Sequence, residues 1–131
     1  MIEKLKEYFK KRKEIAFAFL FGSYSKGYAT PFADVDIAVY FLPKRRHPVE
    51  CEEEVEYPEE EEILTDLTQL LKREVELLVL NRASPSVAAS AIRGIPIVIN
   101  DWGLYLDFME IVSSEAIDLR ELLIKDFLEK I

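Results

Sequence analysis

The chain alternates short apolar runs with longer amphipathic stretches. Ile2, Leu5 and Phe9 recur at helical spacing and predict an amphipathic helix whose wet face carries the Lys and Arg residues of 4–13. Residues 15–21, Ile-Ala-Phe-Ala-Phe-Leu-Phe, are apolar and aromatic enough for a buried strand. A second strand is predicted over 34–41, from Val35, Ile37, Val39 and Phe41. Residues 61–73 read as a helix with Ile63, Leu64, Leu67, Leu70 and Leu71 on its core face, and 75–80 as a third strand. Ser84-Pro85 is an N-cap and first turn for a short helix that Gly94 closes, before an apolar strand over 95–99. Asp101 then caps helical sequence, the segment 101–131, in which Leu104, Phe108, Ile111 and Val112 are periodic. Residues 43–60 carry prolines and a glutamate-rich run and are expected to form a mobile acidic loop. Strands alternating with helices predict an α/β domain, a small mixed sheet packed by helices, with 1–131 as one domain.

Composition narrows the function classes. With 131 residues, half of them hydrophobic and 32% charged, the chain is long enough for a real core. No apolar run reaches transmembrane length, and the basic start lacks the apolar core of a signal peptide, so a cytoplasmic location is expected. Cys51 is the single cysteine, which excludes an intrachain disulfide and a cysteine zinc cluster. The net charge of −8 argues against a broad nucleic-acid surface. Local basic clusters at 4–13 and at Lys44-Arg45-Arg46 are the exceptions, and His47 has no partner pattern.

The candidate chemistry lies between the first two strands. Gly22-Ser23 is followed after ten residues by Asp34-Val35-Asp36. Alternate residues of a strand share a face, so Asp34 and Asp36 point the same way. Two carboxylates side by side on an apolar strand repel unless a cation lies between them, and oxygen ligands of this kind suit magnesium. Gly22 permits close backbone approach, and Ser23 is a natural N-cap for a short helix through Lys26, stopped by Gly27. A helix N-terminus there would favour a phosphate. Phosphate donors and metal carboxylates are thus set side by side.

On these residues the chain resembles the DNA polymerase beta-like nucleotidyltransferase superfamily, and most closely its minimal, or MNT, branch of the HEPN–MNT antitoxin type. Gly22, Ser23, Asp34 and Asp36 match that branch's Gly-Ser-x10-Asp-x-Asp, and Gly22 to Gly27 match its Gly-Ser-x-x-x-Gly turn. The looser match is at Val75 to Ala83, where the family places a third acid on a strand before a Leu-Asn-Arg-Ala-like run. Departures are Tyr24 for Arg, Ala33 for Ser and Glu76 for the commoner Asp.

The resemblance implies a nucleotidyltransferase fold and transfer of a nucleoside monophosphate, AMP from ATP, to a hydroxyl. It implies Mg2+, with Mn2+ as the substitute, held by Asp34, Asp36 and Glu76, the three catalytic acids. It places nucleotide phosphates on Gly22 and Ser23, with Lys26 and Arg82 as further candidates for which plain surface charge is the competing reading. Glu74 competes with Glu76 for the third acid. The implied acceptor is a tyrosine of a HEPN-type toxin, which makes the chain the antitoxin of a toxin–antitoxin pair. The chain is not itself the HEPN half, whose Arg-x4–6-His motif would need Arg where Tyr40, Phe41 and Leu42 precede His47. A catalytically idle antitoxin acting by binding alone is the alternative. Leu104, Phe108, Ile111, Leu119, Leu122 and Phe127 are expected either to dock the partner, to cover this domain's own sheet, or to pair two copies into a homo-oligomer.

Overall fold

The computed structural model describes residues 1–22, 34–43 and 57–113. Its elements are α1 (Ile2–Lys10), β1 (Ile15–Phe21), β2 (Val35–Phe41), α2 (Glu60–Leu71), β3 (Val75–Val79), a 3-10 turn (Leu80–Arg82), α3 (Pro85–Ala91) and β4 (Ile95–Ile99). A further helix, α4, covers 102–113. The strands form one mixed sheet in the order β3-β2-β1-β4. β1 runs antiparallel to both its neighbours, and β2 and β3 run parallel. A parallel pair needs a crossover, which α2 provides between them. The expected α/β architecture with a small mixed sheet is what the chain adopts.

Both faces of the sheet are covered, which is why β1 reads as an unbroken apolar run. On one face Ala18, Leu20, Val35, Ile37, Val39, Val75 and Val79 pack under Leu5 and Phe9 of α1 and Ile63 and Leu67 of α2. On the other, Phe17, Phe19, Ala38 and Tyr40 pack under Ala88 and Ala91 of α3 and Val112 of α4. Phe17 stacks on Tyr40 at 4.9 Å between ring centroids, and Phe108 of α4 lies 5.1 Å from Tyr40. Leu104 and Phe108 therefore cover this domain's own sheet. Ile111 does not share that face and is 56% exposed; Leu119, Leu122 and Phe127 lie outside the described residues.

Two more expectations are corrected. The core face of α2 is narrower than its leucines suggest: Ile63 and Leu67 are fully buried, but Leu64 is exposed. The acidic 43–60 stretch does end where α2 starts, at Glu60, but its end is not loose, since Tyr57 is buried. Tyr57 stacks on Phe41 at 4.4 Å with the rings nearly parallel, so an aromatic contact outweighs the acidic context. The remainder of that loop, 44–56, lies outside the described residues.

Polar side chains close the frame where strands end. Asn81, on the 3-10 turn, is the one buried polar residue among those described. Its Oδ1 accepts from the Phe41 N–H at 2.8 Å, and its Nδ2 donates to the Phe41 carbonyl at 2.9 Å. The side-chain amide thus acts as one more strand residue at the end of β2. Next to it, Arg82 meets the Glu60 carboxylate with both terminal nitrogens, Nη2 to Oε2 at 2.9 Å, tying the turn to α2.

Arg12, read from sequence as part of a wet basic face, is instead a hub. It donates to Tyr8 Oη, Glu14, Glu62 and Asp66 at 2.8–3.1 Å, while Tyr8 Oη donates to Asp66 at 2.7 Å. The Tyr8 bond, helped by Arg12, holds the Asp66 carboxyl below its usual range. Asn100 similarly donates to the carbonyls of Phe9 and Ile15 at 3.1 and 3.0 Å, fixing the end of β4 to the end of α1.

Asn81→Leu keeps the branched outline, with somewhat more bulk, but leaves the buried N–H and C=O of Phe41 without the side-chain amide. It should lower unfolding free energy by about 2–4 kcal/mol, read from the urea midpoint at unchanged slope. A loss under about 0.5 kcal/mol would show that the amide clamp does not hold the end of β2.

Candidate active site

The candidate residues that are described collect where β1 ends and β2 and β3 begin. Residues 36, 38 and 40 of β2 alternate with Val35, Ile37 and Val39, so Asp36 belongs to the face of Ala38 and Tyr40. The same alternation puts Glu76 on the face of Leu78. Register then makes them neighbours: Asp36 is opposite Glu76 in the parallel ladder and opposite Phe21 in the antiparallel one. Three apolar strands thus bring two acids side by side on a face that is aromatic further along.

Asp36 is half-buried, Glu76 and Asp34 are exposed. The Asp36 carboxyl is hydrogen-bonded to Glu76, and its pKa is pushed up to about 6. Burial is the first cause, the bond to and charge of Glu76 the next, and the charge of Asp34 the last. Below about pH 6 a proton on Asp36 therefore relieves the repulsion between the two acids. Of the competing acids it is Glu76, not Glu74, whose carboxyl bonds Asp36.

Gly22 fits against this pair. Its φ is +71°, a left-handed conformation that lets the chain turn off β1. A Cβ at Gly22 would stand 2.2 Å from Asp36 Oδ2, nearer than any real contact. The bare glycine face is thus required by the aspartate as well as by the turn. Sequence reading gave Gly22 to the ligand and missed this contact; the signal was register, which places the residue after Phe21 beside Asp36.

The acids fit a divalent cation in chemistry, because they are oxygen donors already close enough to share a proton. They do not converge as a set of three: among the described residues no group of three or more His, Cys, Asp or Glu is arranged to hold a metal ion. Magnesium normally takes one or two carboxylates and fills its other positions with water and substrate phosphates, so a pair suffices. Ser23 and Lys26, the remaining expected nucleotide ligands, lie outside the described residues. Arg82, the further phosphate candidate, is engaged by Glu60.

This fold and carboxylate pair define a nucleotidyltransferase domain. The polymerase beta nucleotidyltransferase family model matches residues 3–102, and the chain belongs to that family. Among solved structures it is similar to a chain from the crystal structure of a toxin–antitoxin with AMP-PNP, with TM-score 0.70, 20% identity, and coverage of 97% of this chain and 98% of that one. It is also similar to a chain from the tri-AMPylated Shewanella oneidensis HEPN toxin in complex with MNT antitoxin, with TM-score 0.64, 20% identity, and coverage of 98% and 99%. At these identities the likeness is one of fold. No curated protein matches the chain. No helix among the described residues is long and apolar enough to cross a membrane.

The raised Asp36 pKa has a stability consequence. A carboxyl at about 6 in the native state and near its ordinary value when unfolded binds more protons folded than unfolded between those values. Its contribution to stability therefore falls as pH rises through about 4 to 6 and stays low above. Asp36→Asn removes the ionisable group, so its melting temperature should match the parent near pH 4, exceed it increasingly up to about pH 6, and keep that margin at pH 7–8. A margin independent of pH would show that Asp36 is not held in this way.

Proposed function

We propose that this chain is a metal-dependent nucleotidyltransferase that moves AMP from ATP to a hydroxyl, a tyrosine of a HEPN-type toxin, as the antitoxin of a toxin–antitoxin pair. The observation that carries the chemistry is the Asp36–Glu76 carboxyl pair set against Gly22, with the Asp34 charge in reach. The partner assignment is supported by similarity to chains from structures of a toxin–antitoxin with AMP-PNP and of an AMPylated HEPN toxin with MNT antitoxin.

In this reading the acceptor oxygen attacks the α-phosphorus of ATP, the bond to the α–β bridging oxygen breaks, and pyrophosphate leaves. Asp36 and Asp34 would hold Mg2+, or Mn2+ in its place, and Glu76 would complete the site or take the hydroxyl proton. When bound, the cation neutralises phosphate charge and makes the acceptor hydroxyl easier to deprotonate. Asp36 is held in place by the bare face of Gly22 and by burial, so its carboxylate needs little reordering. Glu76 is the more exposed of the pair, so it is the acid an incoming hydroxyl can reach. Gly22 and Ser23, with Lys26 as a further candidate, are assigned to the β and γ phosphates.

Mg-ATP should raise the melting temperature of the chain by mass action, and Asp34→Asn with Asp36→Asn should abolish that shift while the fold survives. A double variant that responds to Mg-ATP like the parent would remove these acids from the site.

Incubating the chain with a HEPN-type partner and Mg-ATP, then weighing the intact partner, should show AMP-sized increments. Glu76→Gln should slow their appearance by about a hundredfold while nucleotide still binds. Tight binding with no added mass would leave an idle antitoxin that neutralises by contact alone.

A further inference from the structure

One helix of the domain shows solvent a side that the packing of the described residues does not use. α4 buries Val112 and packs Leu104, Tyr105, Phe108 and Met109 on the sheet, yet Trp102 and Leu106 are 60% and 58% exposed. They are four residues apart and lie in one row along the helix, with Glu110 the next position of that row. Trp102 is steadied edge-on against Tyr105 at 5.6 Å, so this large side chain is propped outward. Gly103 beside it leaves a notch, since a Cβ there would meet only Asp101 Oδ1 at 3.4 Å. Exposed tryptophan held rigid beside a leucine is the composition of a binding hot spot.

Charge says what covers it. Every charged residue of 101–113 is acidic: Asp101, Asp107 and Glu110. Asp101 is used in capping, accepting from the Leu104 N–H at 3.0 Å, whereas Asp107 and Glu110 are exposed beside the apolar row. A second copy would bring the same carboxylates against each other, on a chain whose net charge is already −8. A heterologous surface with an apolar centre and a basic rim meets no such repulsion. α4 also packs on the face of the sheet that carries Asp36 and Glu76, but over Phe17 and Tyr40, four residues along from Phe21 and Asp36, so a partner seated on its outer side has to extend along that face to reach the acids.

We infer that the Trp102–Leu106 row with Asp107 and Glu110 is the docking surface for the acceptor-bearing protein partner, through an apolar patch ringed by Lys or Arg. This rests on the reading in which the chain modifies a protein hydroxyl, and it adds the surface that brings that protein to the acids.

The experiment titrates the purified HEPN-type partner into the full chain by calorimetry, beside Trp102→Ala with Leu106→Ala and, separately, Asp107→Lys with Glu110→Lys. Each pair should weaken binding about tenfold or more, and parental binding should weaken as salt is raised. The changed residues are exposed, so circular-dichroism melting and the Mg-ATP shift should stay at parental values; they check that the site and fold are intact. Parental affinity in both variant pairs would overturn the docking surface and leave the transferase reading standing. A parent chain that does not bind the partner at all would overturn both. A parent that sediments as a dimer and a Trp102→Ala, Leu106→Ala chain that sediments as a monomer would give the row to a second copy instead.

Discussion

The constraint on which the site depends is that two carboxyl groups must stand side by side at the end of an otherwise apolar sheet. Left alone, Asp36 and Glu76 repel, and burial makes the charge on Asp36 costlier still. Nothing local favours that arrangement. It persists because β2 and β3 are held in register by apolar neighbours that pack into the two cores, buried throughout the rest of β2 and buried or partly buried in β3. Slipping either strand by one residue would turn its acid into one core and its valines into the other. The hydrophobic layers thus hold an electrostatically unfavourable pair in place, and the residual strain is available to whatever ligand neutralises it.

The polar latches serve the same end from further away. Asn81 pins the far end of β2 through both hydrogen-bonding groups of Phe41, and Arg82 ties the adjoining turn to α2. Arg12 joins α1 to α2, which together cover the face opposite the acids. Gly94 does comparable work at β4, where a Cβ would stand 2.2 Å from the Leu20 carbonyl oxygen, so this turn can pass close under the end of β1. Each latch restrains a strand end, where sheets fray first, and β1 and β2 can hold their register up to the acids.

Much of this was legible from residue order. β1 and β4 coincide with the apolar runs that predicted them, and Ser84 and Asp101 cap their helices as their residue types suggested. The Asp-x-Asp pair stands out by pattern, because acids in an apolar strand are conspicuous, whereas Glu76 is picked out only by the family resemblance. What pattern could not supply was partnership across strands. That Glu76 rather than Glu74 bonds Asp36, that Gly22 is bare for Asp36, and that Arg12 is a hub all follow from which strand or helix lies next to which. Leu64 and Tyr57 show the same limit from the other side: helical periodicity counted one leucine too many for α2, and acidic neighbours hid an aromatic that stacks on Phe41.

Charge gives the site its order of events under the proposed reading. The chain is acidic overall, the reactive end of the sheet is more acidic still, and ATP is a polyanion. Substrate and acids therefore repel unless a cation arrives with the nucleotide, so binding of the two is coupled rather than sequentially independent. The same argument separates the roles of the two acidic regions. Around Asp36 the negative charge is partly buried, and above about pH 6, where a proton no longer relieves it, a compact divalent ion suits the space better than a long basic side chain. Along α4 the carboxylates are solvated and spread beside an apolar row, where long basic side chains from a protein surface can reach them without losing much hydration. Under this reading one sign of charge would serve two kinds of partner, with burial deciding which.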